Sequence, residues 1–318
     1  MPVQQHDADV IPLPRRAPEP AFAPRERLAP VTELHPRREA PVSIADRVAG
    51  FVRKRLTGDY PVDEFGFDPQ LTDSVIMPPL RMIYEKWFRV RVTGAANLPL
   101  DTGALIVANH SGTLPWDAVM TSVAVHDNHP TGKHLRMLGA DLVFKVPGLA
   151  TLARRTGQTL ACSADAQRLL RSGELVGVWP EGFKGIGKPF SERYQLQRFG
   201  RGGFVTTAIK AGVPIIPCSI VGAEEIYPKV ADLKPLAKAL GLPYFPVTPF
   251  FPLLGPLGAI PLPTKWHIDF GAPIRTDLAP ADTVDDHGAV LEVAAEVRET
   301  IQQTLNSMVA ERESVFLG

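Results

Sequence analysis

The residues best suited to chemistry begin with His110 and Asp117. His110 follows an apolar run, Ala104 to Ala108, that reads as a buried strand. Ser111-Gly112 then signals a turn, and Pro115-Trp116-Asp117 suits the start of a helix. A histidine at the end of a core strand, followed by a carboxylate, is a way to hold a general base. The carboxylate fixes the imidazole tautomer and stabilises the imidazolium once a proton arrives. Taken alone, that window is better explained by a loop histidine and an aspartate that caps the helix. Two later strand ends change the balance. Leu175 to Trp179 runs into Pro180-Glu181-Gly182-Phe183-Lys184-Gly185-Ile186-Gly187-Lys188, a loop with one acid, two lysines and three glycines. Its glycines permit close backbone approach and its lysines can meet anionic groups. It is not a phosphate-binding P-loop, because no Ser or Thr follows the lysine in the required place. Glu224-Glu225 ends a third apolar strand, Val213 to Gly222.

These loops need a scaffold that brings strand ends together. Apolar strand-like runs alternate with helical periodicity along the chain. Helices are expected at 79–88, 118–126, 142–154, 163–172 (with Ser163 as N-cap), 204–211 and 284–312, and strands at 88–93, 136–139, 157–161 and 266–270, besides the three above. The pattern predicts an α/β fold, a mixed central sheet covered by helices on both faces. Sites in such folds sit at strand ends. His110, the Glu181 loop and the Glu224 loop would then share one rim. Residues 1–42, rich in Pro, Ala, Arg and Glu, are expected to be a disordered tail, and 43–318 a single domain with its N-terminal helices and a C-terminal helix. The first of those helices, 44–56, is basic and amphipathic, which suits an anionic membrane surface or an ordinary packed helix. Residues 60–72 read as a linker.

Composition narrows the function. Lys plus Arg equals Asp plus Glu at 34 each, which argues against a broad electrostatic grip on nucleic acid. Cys162 and Cys218 sit in apolar surroundings and read as core residues of a reduced, intracellular protein. No secretory signal is visible. The uncharged stretch Ala239 to Thr264 is broken by proline from Pro243 to Pro263 and does not read as a membrane span. Its Phe250, Phe251 and Leu253 are candidates to dip into a membrane interface, so the expected location is cytoplasmic, peripheral at the inner face of the membrane. His126, His129 and His134 invite a metal reading. That reading is set aside, because the local sequence offers them no carboxylate or thiolate partner set.

Taken together, four blocks resemble the glycerolipid acyltransferase superfamily, which includes the lysophosphatidate acyltransferases. Within it the chain is most similar to the branch of mono- and diacylglycerol acyltransferase-like enzymes. The blocks are Asn109-His110 with Asp117, Gly157 to Ser163, Trp179-Pro180-Glu181-Gly182-Phe183-Lys184-Gly185, and Val213-Pro214-Ile215-Ile216-Pro217. The likeness covers roughly 88–274. It implies a glycerol-3-phosphate acyltransferase-like fold and transfer of a fatty acyl group to a glycerolipid hydroxyl, such as that of lysophosphatidate, in phospholipid or glycerolipid biosynthesis. Acyl-CoA or acyl carrier protein would be the donor substrate, with no cofactor and no metal. His110 and Asp117 would be catalytic, and Glu181, Gly182, Lys184 and Arg155 would bind substrate. Two departures stand out. Six residues separate His110 from Asp117, where the family usually has four. Cys162-Ser163 stands where the family has an arginine for the acceptor phosphate, which leaves Arg154 or Arg155 as substitutes and keeps neutral mono- and diacylglycerol acceptors open. Ser111 beside His110 raises a lipid esterase as a rival, though no Gly-x-Ser-x-Gly elbow surrounds it. The other rival is a non-catalytic lipid-binding protein on the same fold.

Overall fold

A computed structural model describes residues 44–318 apart from Gly112, Pro147, Leu242 and Gly318. The tail expected at 1–42 lies outside the described residues. The chain divides into two units, Met1–Thr57 and Gly58–Gly318. The described part of the first is one helix, α1 (Ile44–Thr57), on which Val52 and Leu56 are exposed beside Arg53 and Lys54.

The second unit is built on a seven-stranded sheet. Its strands are β1 (Arg91–Thr93), β2 (Ala104–Ala108), β3 (Leu135–Gly139), β4 (Thr159–Leu160), β5 (Leu175–Val178), β6 (Ile215–Val221) and β9 (His267–Phe270), in the order β1-β9-β6-β2-β5-β3-β4. A separate two-stranded antiparallel sheet pairs β7 (Ala231–Asp232) with β8 (Pro246–Val247). Only the β6–β9 pairing is antiparallel in the large sheet; the other neighbours run parallel. β2 is central, with Leu105 opposite Val176 on one side and Ile215 on the other. All five of its residues are buried because both faces of the sheet are covered. Ile106 and Ala108 enter the core beneath α2 (Trp116–Asn128), with Met120 and Val123. Leu105 and Val107 point the other way. They meet residues of α3 (Ser163–Arg171), α5 (Gly203–Ala211) and α6 (His287–Glu311), including Leu169, Val205 and Ile301. A single turn of helix, α4 (Phe183–Ile186), follows β5. The expected mixed sheet with helices on both faces is therefore the fold.

Several expected boundaries move for identifiable reasons. Residues 60–72 are no linker: Phe67, Asp68 and Thr72 are buried, and Asp68 accepts the Leu71 N–H as the N-cap of a helical run over 69–87. Pro78 and Pro79 supply no N–H to that run, and it widens into π turns at Thr72–Ile76 and again at Ile83–Trp87. The following strand shrinks to β1, because Arg89 turns the chain at φ 45°. The helix expected over 142–154 is broken at Gly148, at φ 79°. Ser163 does not cap α3; it is the first helical residue, and its Oγ meets Thr207 Oγ1 at 3.0 Å. Among the described residues, no helix is long and apolar enough to cross a membrane.

Candidate active site

Because β6, β2 and β5 are parallel neighbours, their C-terminal ends open on one edge of the sheet. His110, the Glu181 loop and Glu224 follow those three ends. Asn109, the first residue past β2, is fully buried and clamps that end to β6: its Nδ2 donates to Ile220 O (3.0 Å) and its Oδ1 accepts the Ile220 N–H (2.8 Å). His110 is thereby held at a fixed height above the sheet.

The His110 Nδ1 lies 2.6 Å from Asp117 Oδ2. The Asp117 side chain has no exposed surface, while 15% of that of His110 remains open. Asp117 Oδ2 also accepts the Ser111 N–H (2.9 Å), and Oδ1 accepts the Ala118 N–H (2.8 Å). The carboxylate thus closes the six-residue loop onto the first turn of α2, where the helix dipole favours negative charge. A carboxylate facing Nδ1 makes that nitrogen the N–H, which leaves a lone pair on Nε2. Two further bonds hold the loop: Tyr244 O–H donates to Thr113 O (2.7 Å), and Trp116 Nε1–H donates to Tyr227 Oη (3.1 Å). The longer spacing is absorbed without separating histidine from aspartate.

Glu181 is buried, and its two oxygens serve protein donors. Oε1 accepts the His110 N–H (2.8 Å), and Oε2 accepts the Gln197 N–H (2.7 Å). Lys188, expected to meet anionic ligands, is instead buried: its Nζ donates to Glu224 Oε1 (3.0 Å) and Gln195 O (3.1 Å) and lies 3.6 Å from Glu181 Oε2. This Glu181–Lys188–Glu224 chain links the loops after β5 and β6. Burial pushes the Glu224 carboxyl up to about 7, against the pull of Lys188.

Two glycines shape the loop between them. Gly182 has φ 55° and ψ −143°, a backbone state that side chains rarely allow. Gly185 packs directly on the site: a Cβ there would lie 2.7 Å from Glu181 Cβ and 2.9 Å from both His110 Cβ and His110 O. Lys184 is exposed on α4 and, with Phe183, Lys229 and Tyr244, lines a cleft beside the loop. Arg155, expected among the acceptor-binding groups, spends its guanidinium on Asp68 Oδ2 (3.0 Å) and Tyr60 Oη (2.9 Å). The Ser111 side chain is buried, and its Oγ makes no hydrogen bond among the described residues, to His110 or otherwise. Sequence reasoning passed over Asn109 and Gly185 as site residues, since Ile220 and His110, against which they are set, are distant in the chain.

The comparisons with known proteins bear on family and fold. The sequence profile of the family described as Acyltransferase matches residues 89–221. That span holds β2, β5 and β6 together with His110, Asp117 and Glu181. An uncharacterized protein of Mycobacterium tuberculosis is 57% identical over 272 residues, 85% of this chain and 76% of that one. A human protein named "DGAT1/2-independent enzyme synthesizing storage lipids" is 32% identical over 138 residues, covering 41% of this chain and 39% of its own. The crystal structure of the 1-acyl-sn-glycerophosphate acyltransferase PlsC from Thermotoga maritima superposes with a TM-score of 0.51 at 18% identity, covering 84% of this chain and 91% of the other. The profile, the relatives and the shared fold lead to one statement: the chain belongs to the acyltransferase superfamily.

Proposed function

We propose that this protein transfers a fatty acyl group from a thioester, acyl-CoA or acyl carrier protein, to a hydroxyl of a glycerolipid. The observation that carries the reading is the His110–Asp117 pair, 2.6 Å apart at the open end of the central strand. A hydroxyl is a weak nucleophile near neutral pH. As its oxygen attacks the thioester carbonyl, its proton passes to His110 Nε2, and Asp117 stabilises the imidazolium. The tetrahedral intermediate then expels the thiolate, which takes the proton back from His110. The products are an ester and a free thiol. The oxyanion needs N–H donors. Across 180–182, Pro180 has none and the Gly182 N–H donates to Trp179 O (3.0 Å), so in that stretch the Glu181 N–H is the donor assigned. Glu181 acts through His110, as a positioning residue. Lys184, exposed at the cleft, is the residue assigned to an anionic part of donor or acceptor.

The substrate lies in a membrane, and the exposed apolar residues of the proline-rich segment supply a docking face: Phe250, Leu253, Leu254, Leu257 and Ile260. One observation favours a neutral acceptor over lysophosphatidate. Of the two substitute cations for the acceptor phosphate, Arg155 is committed to Asp68 and Tyr60, which leaves the exposed Arg154. The test is an acceptor panel. Purified protein is incubated with labelled acyl-CoA or acylated carrier protein and with lysophosphatidate, monoacylglycerol or diacylglycerol. Acylated lipid supports the reading, and free fatty acid alone supports an esterase. No turnover supports a lipid-binding role, and transfer that survives His110→Ala removes the base assignment.

A further inference from the structure

We propose that Asp73, His126 and His134 form a binding site for one divalent transition-metal ion of the zinc class. The three residues come from separate elements: the helical run over 69–87, the last turn of α2, and the residue before β3. Their ligand atoms all lie within 4.8 Å of one another. His126 Nε2 is 3.6 Å and His134 Nε2 3.3 Å from the same oxygen, Asp73 Oδ1. Zinc bonds of about 2.0–2.1 Å in a tetrahedron place ligand atoms about 3.3 Å apart. Two of the three separations are therefore already near the required spacing, and the third, within 4.8 Å, must shorten toward it.

The tautomer supports the assignment. His126 Nδ1 is 2.8 Å from Gly132 O, and a carbonyl can only accept. The Nδ1 therefore carries the hydrogen, which leaves a lone pair on Nε2, 3.6 Å from Asp73 Oδ1. A backbone carbonyl holding the far nitrogen is the usual outer support of a metal-binding imidazole. The two rings stack at 4.4 Å with 16° between their planes, so their in-plane lone pairs run nearly parallel and one ring must tilt for both to meet a single ion. His134 Nε2 can carry a hydrogen toward Asp73 Oδ1, 3.3 Å away; an ion held by all three groups would take the place of that hydrogen. Two nitrogens and one oxygen form a borderline donor set, suited to zinc-like ions over calcium or magnesium. Asp73 is 47% exposed, which leaves a side open for water as a further ligand. His129, the third histidine of the sequence cluster, does not take part: it bonds to Pro99 O and Thr131. The carboxylate that the local sequence lacked comes from Asp73.

The site lies at the opposite end of α2 from Asp117, about 14 Å along the helix axis at 1.5 Å per residue. An ion there would fasten the helical run over 69–87 to α2 and β3, away from the reacting atoms. The test uses the full chain after chelator treatment. Titration with Co2+, read by visible absorption, is expected to saturate at one equivalent with the intense bands of tetrahedral cobalt, and Zn2+ is expected to displace it. Asp73→Asn, at an exposed position, should weaken Zn2+ binding at least tenfold in calorimetry, whereas His287→Gln should leave it unchanged. Zn2+ should raise the thermal midpoint of the wild type and not that of Asp73→Asn. Absence of saturable binding overturns the proposal. So does a weak octahedral cobalt spectrum, unchanged affinity in Asp73→Asn, or Ca2+ competing on equal terms with Zn2+.

Discussion

Glu181 holds the backbone of His110: its Oε1 accepts the His110 N–H at 2.8 Å, while Oε2 accepts the Gln197 N–H at 2.7 Å. The carboxylate therefore sets where the imidazole stands. Glu181→Gln keeps the shape but turns one acceptor into a donor, which then faces an N–H. Misplacement of a reacting group by about 1 Å can cost on the order of 10²-fold in rate. The expected result is a kcat loss of that order with KM nearly unchanged, measured in steady-state acyl transfer. A KM effect alone would instead put Glu181 in contact with substrate.

Asp117 receives three donors, from His110, Ser111 and Ala118. Asp117→Asn can present an N–H to His110 Nδ1, which reverses the tautomer and places the hydrogen on Nε2. That nitrogen can then no longer take the acceptor's proton. The expected loss is about 10²–10⁴-fold in kcat, the range for a general base. Near-native circular dichroism would separate this from unfolding, and a loss under fivefold would count against the tautomer argument.

Gly185 has no room for a methyl group, with Glu181 Cβ at 2.7 Å and His110 Cβ at 2.9 Å from the added atom. Gly185→Ala must push α4 away from His110. Overpacking of this kind costs roughly 1–3 kcal/mol. The denaturation midpoint should fall accordingly, and activity should fall further than stability because the displaced group is the proposed base. Gly203→Ala has nothing within 4 Å and serves as the control.

Local sequence carries only part of these sites. β2 was legible because five consecutive apolar residues have few other uses, and the strand-end position of His110 came with it. The Asp117 partnership was legible as chemistry, but not as geometry, since the holding bonds from Tyr227 and Tyr244 come from beyond residue 220. Asn109 clamps Ile220 across 111 residues, and nothing near Asn109 marks it as a clamp. Lys188 looked like an anion-binding lysine because sequence shows its charge and not its burial between Glu181 and Glu224. Asp73 was missed for the same reason: its histidine neighbours are brought to it by the packing of the helical run on α2. Local patterning yields elements and their ends; long-range polar partners appear only once the sheet order is known.

The proposed membrane face can be separated from the core of the proline-rich segment. Leu253 and Leu257 are 83% and 66% exposed, whereas Phe251 packs on Phe245 at 5.4 Å. Leu253→Ser combined with Leu257→Ser should leave folding intact. A fully buried leucine contributes about 1.5–3 kcal/mol, so the pair should lower liposome partitioning roughly tenfold or more. Flotation equal to wild type would remove this face from the docking surface. Phe251→Ser is a poor probe, because it disturbs packing as well.

Glu224 gives the site a pH signature. Burial raises its carboxyl to about 7 in the folded protein, from an ordinary value of 4.5. Between those values the unfolded chain has released the proton and the folded one retains it. Unfolding is then favoured by rising pH, so this group's contribution to stability is fully present below about 4.5 and is lost as pH climbs through about 7. Glu224→Gln keeps an oxygen for Lys188 Nζ, now at 3.0 Å from Oε1, and carries no titrating proton. Denaturant unfolding of both proteins at intervals across this window should give a difference that grows with pH in favour of the variant and levels off above about 7. The difference cancels every other titrating group common to the two. A constant offset across the window would mean that Lys188 keeps Glu224 ionised throughout, and the opposite slope would mean that the Lys188 charge outweighs burial at this position.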